Sequence, residues 1–554
     1  MIAQPVDVHQ DHEVGGPLRR TWWIISLYAA LAFLVIPIFP HLPSANELSR
    51  WSLTAAIVER RSFEISPEIA LLGDRIIDVA MLDGNLYSNK APGGSLAAVP
   101  AYLLARTLVG PPNRDNLRET VTAMRLCICT LPLLALCIWF ALHARCAGMA
   151  TERIAFAVAI MLFGTPLCAY GMLLFSHALT AVALFGAWLL LFGEGFLGEG
   201  RCPPLVREVN SRTSSHLRLR ESTRELAAGL LIGLAAISEY PTAIPGAVLF
   251  ACALRRRGLA GGLRMAAGAL PMLAALALYN HAVFGSVFAL SSSFERSAVY
   301  RQLSHSGLWG VALPSPRIAA RLLFDPSKGL LVFSPVLVLG LAAIPAARRR
   351  LTPAAFWSLT LAPLSLVLVY AGYPNWHGGW TVGARYLVPV VPFLAYLFLM
   401  GRPRAVDPFL LGASALAIAL TTLVFPFVSE GYAFPWASFA APLLAKGLVA
   451  PNLLHFVSRT AAVVVPFALV AAAIVVAVQP RRSPHAITGI AVWALAGFLC
   501  VAIWFPRGDG SRWYVENVYF ERLDVLHRAY PQIDPRFLRQ MQMDRLLPPS
   551  SWPF

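Results

Sequence analysis

Two short polar segments follow the first long apolar run, and they carry most of the side chains that can do chemistry. The first is Asn46-Glu47-Leu48-Ser49-Arg50, and the second, 83–93, contains Tyr87 and Lys90. A carboxylate such as Glu47 can deprotonate or orient a hydroxyl group, which is worth about 10²–10⁴-fold in rate. Because these polar groups lie between apolar segments, they predict chemistry on a lipid-linked substrate at a membrane surface.

Two interpretations of Glu47 stay open and do not exclude each other. Ser44 and Glu47 have the spacing of a capping box, in which Glu47 reaches back to the start of an amphipathic surface helix. Alternatively, Glu47 is the general base, with its carboxylate facing a cavity. Asp83 is the second candidate for the catalytic acid, although Asp83-Gly84 is also an ordinary turn signal.

Lys90 and Arg125 are the candidate phosphate ligands. Lys90 precedes a helix predicted over 95–109 and opened by Pro92, where its charge opposes the helix dipole unless an anion binds there. A solvated or headgroup-contacting lysine is the alternative. Arg125 begins an apolar helix, where it either extends to the interface or pairs with a phosphate. We expect Lys90 and Arg125 to converge on one phosphate.

A second polar cluster occurs late in the chain. Trp376-His377-Gly378-Gly379-Trp380 precedes Arg385, and these residues form either an interfacial aromatic belt or a binding rim. Tyr87 is suited to stacking on a sugar ring, whereas the lone His177 is more typical of a structural residue. The predicted substrate-binding residues are Asn46, Arg50, Asp78, Tyr87, Lys90, Arg125, His377, Trp380 and Arg385.

The composition predicts a membrane protein. The 554 residues are 57% hydrophobic and 13% charged, with a mean hydropathy of +0.62. Ordinary soluble domains contain about 25% charged residues. The net charge of +16 follows the basic loops expected of membrane topology, so we predict no nucleic-acid partner. The eight cysteines form no CxxC pair, and no nucleotide-binding or HExxH motif occurs, so no cofactor is predicted and a divalent metal is not indicated.

We predict an all-α polytopic protein with about thirteen transmembrane helices. They lie near 22–40, 122–143, 154–174, 177–197, 226–240, 241–254, 264–283, 329–347, 354–372, 386–400, 408–428, 459–479 and 486–505. The pair at 226–254 is short and hinged at Glu239, so a re-entrant hairpin is an alternative. Clusters of arginine at every second turn place the N-terminus in the cytoplasm.

This topology gives the chain three parts. A cytoplasmic tail over 1–21 precedes the membrane domain over 22–505, and an external tail follows over 506–554. The first external loop, 41–121, is large and carries juxtamembrane helices.

The chain resembles the GT-C superfamily of integral membrane glycosyltransferases, in particular its protein O-mannosyltransferase and aminoarabinose-transferase branch. The resemblance rests on Asn46-Glu47, on Lys90-Ala91-Pro92 and on Arg125, and it covers roughly the first 300 residues. Members of that branch have an aspartate where this chain has Asn46. The resemblance implies a polyprenyl-phosphate-linked sugar donor and an inverting transfer at the external face. The acceptor is then a glycan, lipid or protein of the cell envelope, and the location is a bacterial inner membrane.

Two other function classes remain open. A transporter or flippase of lipid-linked envelope material is the main alternative, and a non-catalytic partner of an envelope complex is a further one. Transporters place polar residues at mid-membrane in broken helices, often in two related halves. This chain keeps most ionisable groups in loops, with Glu239 as the main exception.

Overall fold

The structure is a computed structural model. It describes residues 18–36, 44–72, 78–113, 116–193 and 214–479, except for residues 306, 309, 429, 431, 446, 448 and 451. The predicted span 486–505, the tail 506–554 and most of the tail 1–21 lie outside the described residues.

Helices make up most of the described chain. In the first half they are α1 (Arg19–Val35), α2 (Ala45–Arg60), α3 (Ser66–Leu71), α4 (Gly93–Val109), α5 (Leu117–Cys146, with a π-helical turn at Leu126–Thr130), α6 (Thr151–Phe163), α7 (Leu167–Tyr170), α8 (Ser176–Phe192), α9 (Ser214–Ser238) and α10 (Ala243–Phe284). In the second half they are α11 (Ala298–Ser304), α12 (Pro316–Phe324), α13 (Leu330–Phe333), α14 (Val338–Leu341), α15 (Ile344–Arg350), α16 (Pro353–Ala371), α17 (Val391–Met400), α18 (Asp407–Ala419), α19 (Ala441–Leu444) and α20 (Arg459–Val478).

Shorter helical turns connect some of these helices. Turns of 3₁₀ helix lie at Tyr240–Thr242, Ser291–Phe294, Pro335–Leu337, Arg385–Val390 and Leu453–Phe456, and π-helical turns lie at Leu420–Val424 and Trp436–Ala440.

Five helical segments in the described part of the chain are long and apolar enough to cross a membrane. They are Leu117–Cys146, Tyr240–Phe284, Pro353–Ala371, Asp407–Val424 and Arg459–Val478. Helices of this length and hydropathy match the thickness of the hydrocarbon core of a bilayer. The chain is therefore a helical integral membrane protein.

Two segments predicted as continuous spans are broken in the structure. The helix predicted over 154–174 ends at Phe163. The segment 329–347 consists of short helical pieces, two of which begin at or next to a proline, Pro335 and Pro345. Proline has no backbone N–H to donate, so it breaks the hydrogen-bond ladder of a helix.

The segment from α9 through α10 forms a compact group of helices. Gly258, with a φ of 68°, interrupts α10, and a Cβ at Gly262 would lie 2.5 Å from Leu254 Cδ1. Residues eight apart in a straight helix are separated by about 12 Å, so the chain reverses at Gly258. The second half of α10 then packs closely on α9, because a Cβ at Gly268 would lie 2.0 Å from the carbonyl oxygen of Leu226.

A β-hairpin lies within the segment predicted as the first external loop, so the prediction of an all-α fold is wrong in this detail. Strand β1 (Val79–Leu82) pairs antiparallel with β2 (Asn85–Ser88), and Asp83 and Gly84 both have positive φ in the turn. Two-residue turns of this kind match the twist of the flanking strands. An isolated bridge joins Tyr87 to Glu64 on one edge, and another joins Ala80 to Glu295 on the other.

Helix α2 differs from the predicted amphipathic surface helix. Its residues from Asn46 to Ala56 are all buried. Ser44 makes no side-chain hydrogen bond to the start of the helix, so the predicted capping box does not form. The helix packs against α4 and β2, and the side chains of Asn46, Ser49 and Thr54 are hydrogen-bonded inside the protein.

Candidate functional site

An ion pair joins α2 to the break after α9. Arg50 Nη2 lies 2.8 Å from Glu239 Oε1, and the side chains are 2% and 15% exposed. Arg50 also donates to Asn46 Oδ1 at 3.0 Å, so Asn46 orients the guanidinium. Glu239 has extended backbone between α9 and the following 3₁₀ turn, which turns its carboxylate out of the helix ladder.

Three cations surround His177, the second residue of α8. His177 Nδ1 lies 3.8 Å from Glu239 Oε1. The positive charges of Arg385, Arg50 and Lys90 all act on its ring. Arg50 lies on α2, Lys90 lies between β2 and α4, and Arg385 lies before α17, so segments far apart in sequence meet at one place.

Lys90 has its own partner in this cluster. Its Nζ lies 3.0 Å from Asp78 Oδ2, and the two side chains are 17% and 27% exposed. Asp78 immediately precedes β1 and Lys90 follows β2, so the open end of the hairpin brings them together. This pair is the accessible part of the cluster, whereas Arg50 is buried.

Glycines at the start of α4 allow that helix to approach the ion pair. A Cβ at Gly93 would lie 2.6 Å from Ser238 Oγ, next to Glu239 in sequence. A Cβ at Gly94 would lie 3.1 Å from Arg50 Nη1. The predicted helix over 95–109 is therefore present as α4, with its first turn packed against the cluster.

Arg385 has an aromatic partner and, among the described residues, no acidic one. Its Nη2 donates to the hydroxyl of Tyr386 at 3.0 Å, and its guanidinium lies 4.8 Å from the centre of that ring. Its Nε is buried and has no hydrogen-bond partner. Among the described residues no carboxylate forms an ion pair with Arg385. Gly378, with a φ of 73°, makes room for it, since a Cβ there would lie 2.6 Å from Arg385 Nε.

Glu295 is a further acid of the cluster, and sequence reasoning did not select it. Asn89 Nδ2 donates to its Oε1 at 2.8 Å, whereas its Oε2 is buried without a partner. Burial raises the pKa of this carboxyl to about 8, and the charge of Lys90 opposes the shift. Glu295 follows a serine run with no motif, and its bridge to β1 and its bond to Asn89 bring it to the cluster.

Glu47 and Arg125 are bound to each other, and this corrects two expectations. Arg125 Nε and Nη2 donate to the two oxygens of Glu47 at 2.8 and 2.7 Å, and the amide of Leu174 donates to Oε1 at 2.7 Å. Glu47 is 0% exposed. Its carboxylate therefore does not face open space. Lys90 and Arg125 each pair with a different acid, so the structure does not support their convergence on one phosphate.

Asp83 and Tyr87 lie in the hairpin but not in the cluster. Asp83 is exposed at the turn, five residues from Asp78, which corresponds to about 16 Å along a strand. The Tyr87 ring packs edge-on against Phe284 at 6.2 Å, so it is part of a hydrophobic contact. This position does not favour Asp83 as the acid or Tyr87 as a platform for a sugar.

In the structure, the residues of the predicted late cluster contact different partners. His377 Nδ1 lies 3.7 Å from Glu430 Oε1, and Trp380 is half-buried against the core. The loop is fixed by Lys328, whose Nζ donates to the carbonyls of Thr381 at 2.5 Å and Val428 at 2.8 Å. Of the predicted rim residues, Arg385 joins the cation cluster directly.

Within the part of the chain that the structure describes, no group of three or more His, Cys, Asp or Glu is placed to hold a metal ion.

No protein-family model and no curated protein sequence matches the chain. Solved structures match at low identity. ArnT from Cupriavidus metallidurans bound to undecaprenyl phosphate is 15% identical, with a TM-score of 0.49, covering 88% of this chain and 77% of that one. The archaeal oligosaccharyltransferase AglB from Archaeoglobus fulgidus, in complex with an inhibitory peptide and a dolichol-phosphate, is 14% identical, with a TM-score of 0.42, covering 97% of this chain and 61% of that one.

These structural neighbours are GT-C superfamily membrane glycosyltransferases, the class that the sequence resembles. At these TM-scores and identities the likeness does not show the function of this chain, which is inferred from the residues of the site.

Proposed function

We propose that the chain is a membrane glycosyltransferase that takes a sugar from a polyprenyl-phosphate donor. It transfers the sugar with inversion to a cell-envelope acceptor at the external face of a bacterial inner membrane. The observation that carries this proposal is the charge balance around His177. Within the described ranges, Arg50 and Lys90 each pair with a carboxylate, whereas Arg385 pairs with none.

Arg385 is half-buried, and its Nε is fully buried. A cation held largely out of water without a counter-charge is unfavourable, so Arg385 provides a reason for an anion to bind. Its unpartnered Nε offers a charge-assisted hydrogen bond, and the charge of Lys90 acts at the same place. Guanidinium groups suit phosphate because their donors form a planar fork. We assign the donor phosphate to Arg385 and Lys90, in place of the predicted Lys90 and Arg125.

The neighbouring helix α4 gives a lipid donor a place to lie. Leu104 and Leu108, four residues apart on one face, are 62% and 79% exposed. An exposed apolar helix face in a membrane protein contacts lipid chains. Because the first turn of α4 packs against Arg50, a polyprenyl chain along α4 brings its phosphate towards the cations.

The test is donor turnover by the purified protein in lipid nanodiscs. The protein is incubated with a panel of polyprenyl-phosphate sugars, and release of free polyprenyl phosphate is measured together with donor binding. Arg385→Ala should weaken donor binding about 30-fold or more, because truncating one partner of a buried charged contact costs about 2 kcal/mol or more. Arg118→Ala is the matched control, since Arg118 pairs with its neighbour Glu119 and is 31% exposed.

Two results would contradict the proposal. One is unchanged donor affinity in Arg385→Ala. The other is movement of the intact lipid-linked sugar across a sealed vesicle without release of the sugar, which would favour the transporter alternative.

A further inference from the structure

Glu295 is held in the cluster by backbone as well as by its side chain. It bridges Ala80 on the edge of β1, and the amide of Arg296 donates to the carbonyl of Val79 at 2.9 Å. Ser291 Oγ donates to the carbonyl of Asn89 at 2.9 Å. The segment after α10 is therefore fixed against the hairpin end that carries Lys90.

The two oxygens of the Glu295 carboxylate differ. Oε1 accepts from Asn89, whose own Oδ1 accepts from Ser49 Oγ at 3.4 Å. Oε2 has no partner, although the residue is only 8% exposed. The other two acids of the cluster, Asp78 and Glu239, are in ion pairs. Among the described residues none forms an ion pair with Glu295.

A buried carboxylate oxygen without a partner costs free energy unless a ligand supplies a donor. The neighbouring Lys90 belongs to the phosphate site assigned above, so a donor group next to that phosphate would meet Glu295. An acceptor hydroxyl is such a group, because it is neutral and carries one hydrogen to give.

We propose that Glu295 is the proton acceptor of the transfer, an inference that rests on the proposed function. The acceptor oxygen bonds to the anomeric carbon as the bond from that carbon to the phosphate oxygen breaks. The electron pair of the broken bond leaves on the lipid phosphate. The hydroxyl proton passes to Glu295 Oε2 and from there to water.

Several titratable or charged groups face Glu295 and set its behaviour with pH. They are Lys90 and Asp78 from the hairpin, Tyr300 and Arg301 from α11, and Tyr373 after α16. With a pKa of about 8, Glu295 is mostly protonated at neutral pH and gains the basic form as the pH rises. The transfer rate should therefore increase between pH 6 and pH 9.

The test compares Glu295→Gln with Glu64→Gln at the same donor and acceptor concentrations. Gln keeps an oxygen for the Asn89 amide but cannot accept the proton. Glu64 is the matched control, because it forms the bridge on the opposite edge of the same hairpin and pairs with Arg60. Glu295→Gln should bind donor like the wild type and lose about 100-fold or more of its transfer rate. Glu64→Gln should keep that rate.

The outcomes separate this inference from the proposed function. Wild-type transfer by Glu295→Gln overturns the role of Glu295 and leaves the glycosyltransferase proposal intact. If Glu295→Gln loses both donor binding and transfer, the role of Glu295 as proton acceptor is overturned as well, because Glu295 would then only hold the hairpin in place. Absence of donor turnover by the wild type overturns both. If Glu295→Gln does not fold, a wild-type transfer rate that stays constant between pH 6 and pH 9 overturns the role of Glu295.

Discussion

Glu47→Gln distinguishes a structural Glu47 from a catalytic one. The wild-type carboxylate is fully buried and accepts two hydrogen bonds from Arg125 and one from the amide of Leu174. The glutamine keeps one oxygen for the amide but removes the negative charge. Arg125, whose side chain is 2% exposed, is then a buried cation without its acid.

The size of the effect follows from that burial. Removing one partner of a buried ion pair typically costs about 3–5 kcal/mol, because the remaining charge is uncompensated. Replacing both partners by uncharged groups is often close to neutral. We therefore expect Glu47→Gln to destabilise the protein by a few kcal/mol, and we expect Glu47→Gln with Arg125→Met to recover much of the loss.

The assay is equilibrium unfolding of the purified protein in mixed micelles with increasing denaturing detergent. Glu59→Gln is the control on the same helix. Glu59 lies 2.7 Å from Arg106, but that arginine is 37% exposed, so solvent screening leaves the pair worth about 0–1 kcal/mol. Donor turnover is measured for each variant at a temperature where the variant is folded.

One result would refute this reasoning. If Glu47→Gln unfolds like the wild type and loses about 100-fold of its turnover, Glu47 is the general base that the sequence first suggested. The ion pair with Arg125 would then contribute little to stability.

Two further predictions concern the loop before α17 and the titration of Glu295. Gly378→Ala should weaken donor binding more than Gly379→Ala. Both glycines have a φ near 70°, but only a Cβ at Gly378 would contact Arg385. Donor-binding isotherms of the two variants check this prediction. Burial raises the pKa of Glu295 from its ordinary 4.5 to about 8. The contribution of this shifted carboxyl to the free energy of unfolding is therefore complete below pH 4.5 and is lost as the pH rises through 8. Unfolding midpoints at pH 5 and pH 9 should therefore differ more for the wild type than for Glu295→Gln, and equal differences would contradict the shift.

Local sequence signals predicted the helices and the polar loop well where the hydrophobicity and helix-start residues of a segment determine its structure. The apolar runs that became α5, α16, α20 and α18 with its following π-helical turn are long enough to span a bilayer. Pro92 indicated the start of α4. The hairpin was missed because its strands are four residues long and interrupt a segment dominated by helix signals.

The pairing of charges could not be predicted from the sequence. Glu47 and Arg125 each suggested a ligand, yet they are 78 residues apart and bound to each other. Arg50 and Glu239 are 189 residues apart. Whether a cation pairs with an acid depends on all of these contacts together. The sequence therefore could not mark Arg385 as a cation that has no acidic partner in the part of the chain that the structure describes.

Donor turnover by the wild type beside Arg385→Ala tests the central claim most directly. The account predicts that at least one polyprenyl-phosphate sugar releases free polyprenyl phosphate with the wild type, and that Arg385→Ala binds this donor about 30-fold or more weakly while Arg118→Ala does not. Equal donor affinity and turnover in all three proteins would contradict the assignment of the phosphate to Arg385.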